Sequence, residues 1–342
     1  MKIVFVKFAW FRAFDQPSLS EKKVSDMKGE ATVVKNAGSH YMLSMLPDWN
    51  PFPAVLKGRI RLKANDSTNP VAVGDHVCFE TDAEAAGDVT LTSPALITEV
   101  LDRKNFVVRK STNLSRQSHV IAANIDMAFA VVSLYFPEIK LPFLDRMLVT
   151  CEVYGVPVTI VMNKVDLYRS EAPEAVRNFM DIYSKAGYRV VQTSVRTGEG
   201  IDGLRDICSG KVCLFSGESG VGKSSLIKAL DPSLDPKIGK ISVAHLQGRH
   251  TTSLYEMYRL ATGGSVIDTP GLRGFGLVNL EKNEIARYFP EMLRAAEHCR
   301  FTPCSHTHEP GCAVKEAVEN GEISPERYSS YLGMIEEDRK FR

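Results

Sequence analysis

Residues 217–224 read Gly-Glu-Ser-Gly-Val-Gly-Lys-Ser, the complete G-x-x-x-x-G-K-[ST] spacing. Glycines so placed let successive backbone N–H groups turn inward around phosphate oxygens, and a helix beginning at the lysine adds its dipole. The expected phosphate cradle is therefore Gly217, Glu218, Ser219, Gly220, Val221, Gly222, Lys223, Ser224 and Ser225. Lys223 would reach the β- and γ-phosphates, and the Ser224 hydroxyl would ligate Mg²⁺. A chance glycine-rich turn is the competing reading. The buried run Val212–Phe215 before it and the helical run Lys223–Leu230 after it argue against chance.

Asn163-Lys164-Val165-Asp166 follows another apolar run, Val158–Met162. A carboxylate at the C-terminal end of such a strand lies where open parallel sheets bind ligands. Asp166 could accept hydrogen bonds from N1–H and the N2 amine of guanine. Adenine offers no matching pair and would leave a buried acceptor unsatisfied. Ser194, after the run Arg189–Thr193, would supply the loop backing the base. Asp268-Thr-Pro-Gly271 ends a further strand, with Asp268 expected to hold Mg²⁺ through water and the Gly271 N–H to sense the γ-phosphate. That tetrapeptide is also good turn chemistry. Beside a phosphate loop, the functional reading is preferred.

The order is unusual: base recognition precedes phosphate recognition along the chain. A pocket depends only on where strand ends meet, so a permuted chain can assemble it. The residue after Asp-x-x-Gly is Leu272, which cannot orient an attacking water. Gly248-Arg-His250-Thr-Thr252 offers an alternative: Thr251 or Thr252 could complete the Mg²⁺ shell, and His250 could orient the water. A surface histidine in a loop is an equal reading of His250.

Cys299, Cys304 and Cys312 stand close together with His298, His306 and His308 among them. Three thiolates and one imidazole make a closed tetrahedral Zn²⁺ site with no position for water, hence one structural ion. The other cysteines (Cys78, Cys151, Cys208, Cys213) lie in apolar contexts and read as core.

These groups need a frame. A chain of 342 residues suggests two or three domains. From Glu30 to about Arg116, short alternating runs between turn residues predict an all-β barrel. One of them, Val55–Lys63, puts Lys57, Arg59, Arg61 and Lys63 on one face, either a solvated surface or an RNA-tracking one. From Ile125, buried runs alternate with helical ones, the pattern of a parallel sheet covered on both faces. Leu254–Leu260 predicts a hairpin partner for the strand ending at Ile267, and after Gly276 the chain turns polar and helical. The expected division is a flexible extension at 1–26, a barrel at 27–118, a permuted α/β domain at 119–276 and a mostly α metal domain at 277–342. A net charge of +1 excludes a general polyanion binder, so nucleic-acid contacts must be local. No apolar run approaches the ~20 residues that span a bilayer, and the greasy start carries Lys7 and Arg12 without a cleavage site. Export and membrane insertion are not expected; a cytoplasmic location is.

Together these features resemble the RsgA family, circularly permuted GTPases of small ribosomal subunit biogenesis. Beyond the motifs above, the resemblance rests on Leu56-Lys-Gly-Arg-Ile-Arg, Val73-Gly-Asp-His-Val77, Ala122-Ala-Asn-Ile-Asp126, Leu144-Asp-Arg-Met-Leu148 and Arg327-Tyr-Ser-Ser-Tyr331. It covers roughly residues 30 to 340. It implies an OB-fold, a permuted GTPase domain and a zinc domain, with GTP hydrolysis stimulated by the small subunit late in its maturation. It implies His250 as the catalytic histidine and His306 as the imidazole zinc ligand beside Cys299, Cys304 and Cys312. Expected partners are the small subunit with its rRNA and GTP or GDP, the chain itself being a monomer. Val195 departs from the small residue usual in the guanine loop, which touches only fine base affinity. Two rivals stand beside this reading: a GTP-gated RNA-binding scaffold with incidental hydrolysis, and a permuted GTPase acting on the large subunit.

Overall fold

The computed structural model describes residues 27–58, 69–82, 88–110, 118–234, 255–268 and 280–340. Arg59, Arg61, Lys63, His250, Thr251, Thr252 and Gly271 lie outside the described residues.

Alternating inward residues build the first unit from β1 (Met27–Ala37), β2 (His40–Ser44), β3 (Phe52–Leu56), β4 (His76–Thr81) and β5 (Ala95–Val100). The hydrogen-bonded order runs β1-β2-β3-β5-β4 and closes from β4 back to β1, with β3 and β5 parallel. This is an OB-fold barrel. Val33, Leu43, Phe52, Phe79 and Ile97 fill it, with the Phe52 and Phe79 rings 5.1 Å apart. The strand predicted over Val55–Lys63 stops at Leu56, where Gly58 follows closely and glycine weakens strands. Lys57 pairs with Glu80 at 2.6 Å. Cys78, expected in the core, is half-buried on β4.

A bulge between Val33 and Lys35 lets the long β1 change partners. Its first half pairs with β4, whereas Lys35 and Asn36 pair with Glu256 and Tyr255 of β12 (Tyr255–Arg259). The barrel is thereby continuous with the second sheet. Between the two sheets, β6 (Phe106–Lys110) and β7 (Ser118–Ala123) form a separate ribbon. Asn69 exchanges two hydrogen bonds with the Val120 backbone, at 2.7 and 2.9 Å, and so acts like a piece of strand. Gly74 carries φ +91°, and a Cβ there would stand 2.1 Å from the Ala123 carbonyl oxygen. Arg103 grips the fully buried Asp75 through two bonds of 2.7 and 2.8 Å.

The second sheet runs β10-β9-β8-β11-β13-β12, with β8 (Met127–Val132), β9 (Val158–Met162), β10 (Arg189–Gln192), β11 (Val212–Ser216) and β13 (Ser265–Asp268) parallel. β12 is antiparallel to β13, the hairpin the sequence predicted. One face is covered by α1 (Leu141–Val153) and α2 (Pro173–Ala186), the other by α3 (Ile201–Cys208) and α4 (Lys223–Leu230). α2 shows why such segments form helices. Val176, Phe179, Tyr183 and Ala186 repeat on one face, Pro173 opens the helix and Gly187 closes it. Among the described residues no helix is long and apolar enough to cross a membrane.

The C-terminal unit contains α5 (Pro290–Ala296), α6 (Ala313–Glu319) and α7 (Pro325–Lys340). It is bolted to α1 by Arg327, which is 1% exposed. Arg327 donates to Asp145 of α1 at 2.8 Å and to both oxygens of Glu291 of α5 at 2.7 and 3.1 Å. Its guanidinium lies 4.6 Å from the Phe289 ring centroid, and the Tyr183 hydroxyl donates to Asp145 at 2.9 Å. Removing one partner from a buried ion group costs about 3–5 kcal/mol, because the remaining charges stay desolvated. Arg327→Leu should therefore lower the urea midpoint by a corresponding amount. A midpoint equal to the parent would refute this role for the triad.

Candidate nucleotide site and metal centre

The parallel strands β8, β9, β10, β11 and β13 end on one side of the sheet, and the predicted motifs follow those ends. The phosphate loop leaves β11 under tight steric control. A Cβ on Gly217 would stand 2.2 Å from the Val131 carbonyl oxygen, and one on Gly222 (φ +101°) 2.4 Å from Asn163 Nδ2. Only glycine permits both approaches. Lys223 is buried, and its Nζ donates to the Gly217 and Glu218 carbonyls at 2.9 and 2.8 Å. Burial pushes its pKa down, against the opposing pull of Asp268 and Glu218. An ammonium parked on the loop's own carbonyls can exchange them for phosphate oxygens.

At the start of α4 the Ser224 hydroxyl donates to Asp268 Oδ2 at 3.3 Å. Oδ1 of Asp268 is buried with no partner among the described residues, and burial raises this carboxyl's pKa. A hydroxyl and an orphaned carboxylate oxygen at the end of a phosphate loop are the hard oxygen donors that Mg²⁺ prefers. Ser219, Ser225 and Val221 occupy the loop and first helical turn, and Lys140 approaches Glu218 at 3.7 Å.

The loop of Asn163–Asp166 is tied to the phosphate loop directly. Buried Asn163 donates from Nδ2 to the Val221 carbonyl at 2.9 Å and accepts from the Thr193 hydroxyl at 3.1 Å. Lys164, at φ +64°, donates to the carbonyls of Gly220 and Phe136 at 2.6 and 2.5 Å. Asp166 accepts from the Ser194 hydroxyl at 2.6 Å, and Arg196 lies 4.0 Å from its other oxygen. The loop carrying Ser194 is closed by the Ser194 N–H donating to the Glu199 carbonyl, while Arg169 pairs with the Glu199 carboxylate. Two participants escaped the sequence reading. Thr193 orients the Asn163 amide, and the buried Tyr168 hydroxyl donates to the Asn163 carbonyl at 2.7 Å. The only available signal for Tyr168 was an aromatic residue five positions after Asn163.

In the C-terminal unit, Cys299, Cys304, His306 and Cys312 bring their ligand atoms within 4.8 Å of one another. His306 Nδ1 lies 3.6 Å from Cys299 Sγ and 3.4 Å from Cys312 Sγ, with the two sulfurs 3.9 Å apart. Tetrahedral coordination at zinc–ligand bond lengths requires about 3.8 Å between sulfurs and about 3.6 Å from sulfur to nitrogen. The donor set and its spacing fit such an ion. The exposed His298 and His308 stand outside the cluster. Glu309 braces the loop by accepting from the Ser305, Thr307 and His308 N–H groups, and these bonds, the Ser305 hydroxyl foremost, hold its carboxyl well below the usual range. The Tyr328 and Tyr331 hydroxyls donate to the carbonyls of His306 and Ser305.

Barrel, rearranged nucleotide sheet and Cys/His cluster together define a circularly permuted phosphate-loop protein. Residues 100–278 match the family model of the RsgA GTPase. The small ribosomal subunit biogenesis GTPase RsgA of Bacteroides fragilis is 45% identical over 318 residues, covering 92% of this chain and 99% of that protein. The protein of the same name from Flavobacterium psychrophilum is 45% identical over 90% of this chain and 92% of its own length. YjeQ from Thermotoga maritima superposes with a TM-score of 0.71 at 32% identity, covering 91% of this chain and 98% of that one. YloQ, described as a circularly permuted GTPase, gives 0.66 at 25% identity over 92% and 96%. The chain belongs to the RsgA GTPase family and is a GTP hydrolase.

The clash at Gly222 yields a direct test. Gly222→Ala adds both a disfavoured positive φ and contact with the Asn163 amide, so GDP affinity measured by calorimetry should fall at least about tenfold. Parental affinity would show that the loop is not seated as described.

Proposed function

We propose that this GTPase binds the small ribosomal subunit, hydrolyses GTP while docked during late maturation, and departs with GDP. The observation that carries the reading is the Asn163 bridge, which locks a guanine-type recognition loop onto the phosphate loop at 2.9 Å. The names of relatives at 45% identity support the ribosomal part.

Each group then has a task. Asp166 and Ser194 receive the base, while Asn163 and Lys164 hold the two loops together. The amides of residues 217–225 and the Lys223 ammonium stabilise charge on the transferring phosphoryl group, so catalysis is mainly positional and electrostatic. Ser224, Asp268 and Thr251 would hold Mg²⁺, which when bound neutralises charge on the phosphates. The Gly271 N–H senses the γ-phosphate, and His250 orients water where Leu272 cannot. Cys299, Cys304, His306 and Cys312 hold one structural Zn²⁺. The chain works as a cytoplasmic monomer divided at about residues 26, 118 and 276. Lys57, with Arg59, Arg61 and Lys63, contributes rRNA contacts. An exposed pair such as Lys57–Glu80 is weak, being solvated and screened, so phosphate can displace it.

GTP turnover should be slow for the chain alone and rise with added small subunits, and His250→Ala should bind GTP normally yet lose the stimulated rate. A flat response to subunits, or stimulation only by large subunits, overturns the reading. Metal analysis should find one equivalent of zinc per chain, lost on Cys304→Ala. Full retention of metal by that variant would move the site elsewhere.

A further inference from the structure

Lys164, directly after Asn163, sits in the left-handed region at φ +64° and ψ 30°. A long side chain gains no local hydrogen bond there, unlike asparagine, so other groups must hold it in place. Its ammonium, bonded to the Gly220 and Phe136 carbonyls, fixes only the far end of a flexible stem. The backbone has to be held at the peptide group that precedes Lys164. That group is planar, so a left-handed residue relaxes most simply by a flip that turns ψ of Asn163 and φ of Lys164 together. The plane carries the Asn163 carbonyl, which accepts a hydrogen bond of 2.7 Å from the Tyr168 hydroxyl. We propose that Tyr168 is a positioning residue for nucleotide binding, its hydroxyl locking the Asn163–Lys164 peptide in the orientation that keeps both side chains on the phosphate loop. The proposal rests on the reading above that the Asn163–Asp166 loop receives the base.

The neighbouring groups leave a flip of that plane as the open route of relaxation. The Asn163 N–H donates to the Val132 carbonyl at 2.8 Å, and its amide side chain is committed to Val221 and Thr193. Beyond Lys164, the Val165 N–H donates to the Thr193 carbonyl at 3.2 Å and the Leu167 N–H returns to the Lys164 carbonyl at 2.9 Å. Both flanks are pinned, and the phenol closes what remains. Tyr168 is itself fixed. It is 2% exposed, and its ring lies edge-on to Tyr135 of the β8–α1 connection with centroids 5.7 Å apart. Its own carbonyl accepts from the Ala172 N–H at 2.8 Å. Burial pushes the hydroxyl's pKa up to about 12, so it stays a donor throughout the neutral range.

A buried tyrosine commonly finds an acceptor for its hydroxyl, and such a bond can serve packing alone. This one lands on the peptide whose rotation releases a strained residue. Once the plane flips, Lys164 leaves the left-handed region, and the backbone geometry that directs its stem to Gly220 goes with it. A loop that holds its binding form only part of the time binds with an affinity reduced by that fraction. The hydroxyl therefore acts on nucleotide affinity through Asn163 and Lys164, with no contact to the nucleotide required.

The test uses the full chain and Tyr168→Phe, which removes one oxygen and keeps the ring. GDP affinity by calorimetry, read where urea titration shows both chains fully folded, should fall about fivefold, the scale of one lost hydrogen bond. The KM for GTP should rise by a similar factor with kcat at saturating GTP unchanged, since readiness to bind is lost and the chemistry is not. Amide hydrogen exchange over residues 163–167 should quicken in the nucleotide-free variant while the amides of β8 and β11 keep parental protection. A general loss of packing would not confine the change in that way. Parental GDP affinity in Tyr168→Phe overturns the proposal, as does a fall in kcat at unchanged KM. Asp166→Asn separates the two readings. Parental GDP affinity in that variant defeats the base-recognition reading, whereas a loss there beside parental affinity in Tyr168→Phe defeats the positioning role alone.

Discussion

The phosphate loop can exist only where two neighbouring strand ends leave no room for a side chain. Gly217 lies against the carbonyl of Val131 at the end of β8, and Gly222 against the amide of Asn163 just after β9. Those contacts make the loop's position a property of the sheet and not of the chain order. Asn163 adds a hydrogen bond to Val221, and Lys164 adds bonds to Gly220 and Phe136. Permutation is tolerated because every tie is between strand termini, and none depends on which strand was made first. The same ties mean that the two loops cannot drift apart: displacing one breaks the buried Asn163–Val221 bond that it shares with the other.

That rigid pocket is joined to its two flanking units by different physics. The barrel is held by backbone, through the β1–β12 pairing, the Gly74–Ala123 approach and asparagine side chains that imitate strand edges. Asn105 and Asn124 continue the pattern, the first exchanging two bonds of 2.8 Å with the Ile125 backbone and the second bonding the Gly74 carbonyl. Such contacts are short and directional, so the barrel should move with the sheet as one body. The C-terminal unit is held through side chains, above all Arg327 between Asp145 and Glu291.

How much of this the sequence revealed follows from how local each cause is. α2 and α4 were legible to the residue because proline, glycine and a repeating apolar face mark them from within. The β12–β13 hairpin was visible through its glycine turn. α3 was missed: it is eight residues long and its start is set by Gly200 lying beneath the Gln192 carbonyl, a contact between separate elements. Equally hidden was the exchange of partners along β1, since a bulge has no composition of its own. At the site, residue types and spacing announced Lys223, Asp166 and the Cys/His cluster. Thr193 and Tyr168 remained silent because a hydroxyl aimed at Asn163 is defined only once the chain has folded.

The motifs that had no assigned role in the sequence acquire one in the structure. Leu144-Asp-Arg-Met-Leu148 carries Asp145, and Arg327-Tyr-Ser-Ser-Tyr331 carries the guanidinium that meets it and the hydroxyls that brace the Cys/His loop. α1 therefore faces two ways. Its apolar residues Phe143, Leu144 and Met147 share a small cavity with Gly217, Glu218 and Val221 of the phosphate loop, and Asp145 is clamped to the C-terminal unit. A buried ion group tolerates little displacement, because separating its charges in a dry interior restores no hydration. A shift of the phosphate loop that moved α1 would thus be passed on to the C-terminal unit rather than absorbed. This gives the permuted chain a second physical connection to that unit, beside the covalent one that follows Asp268.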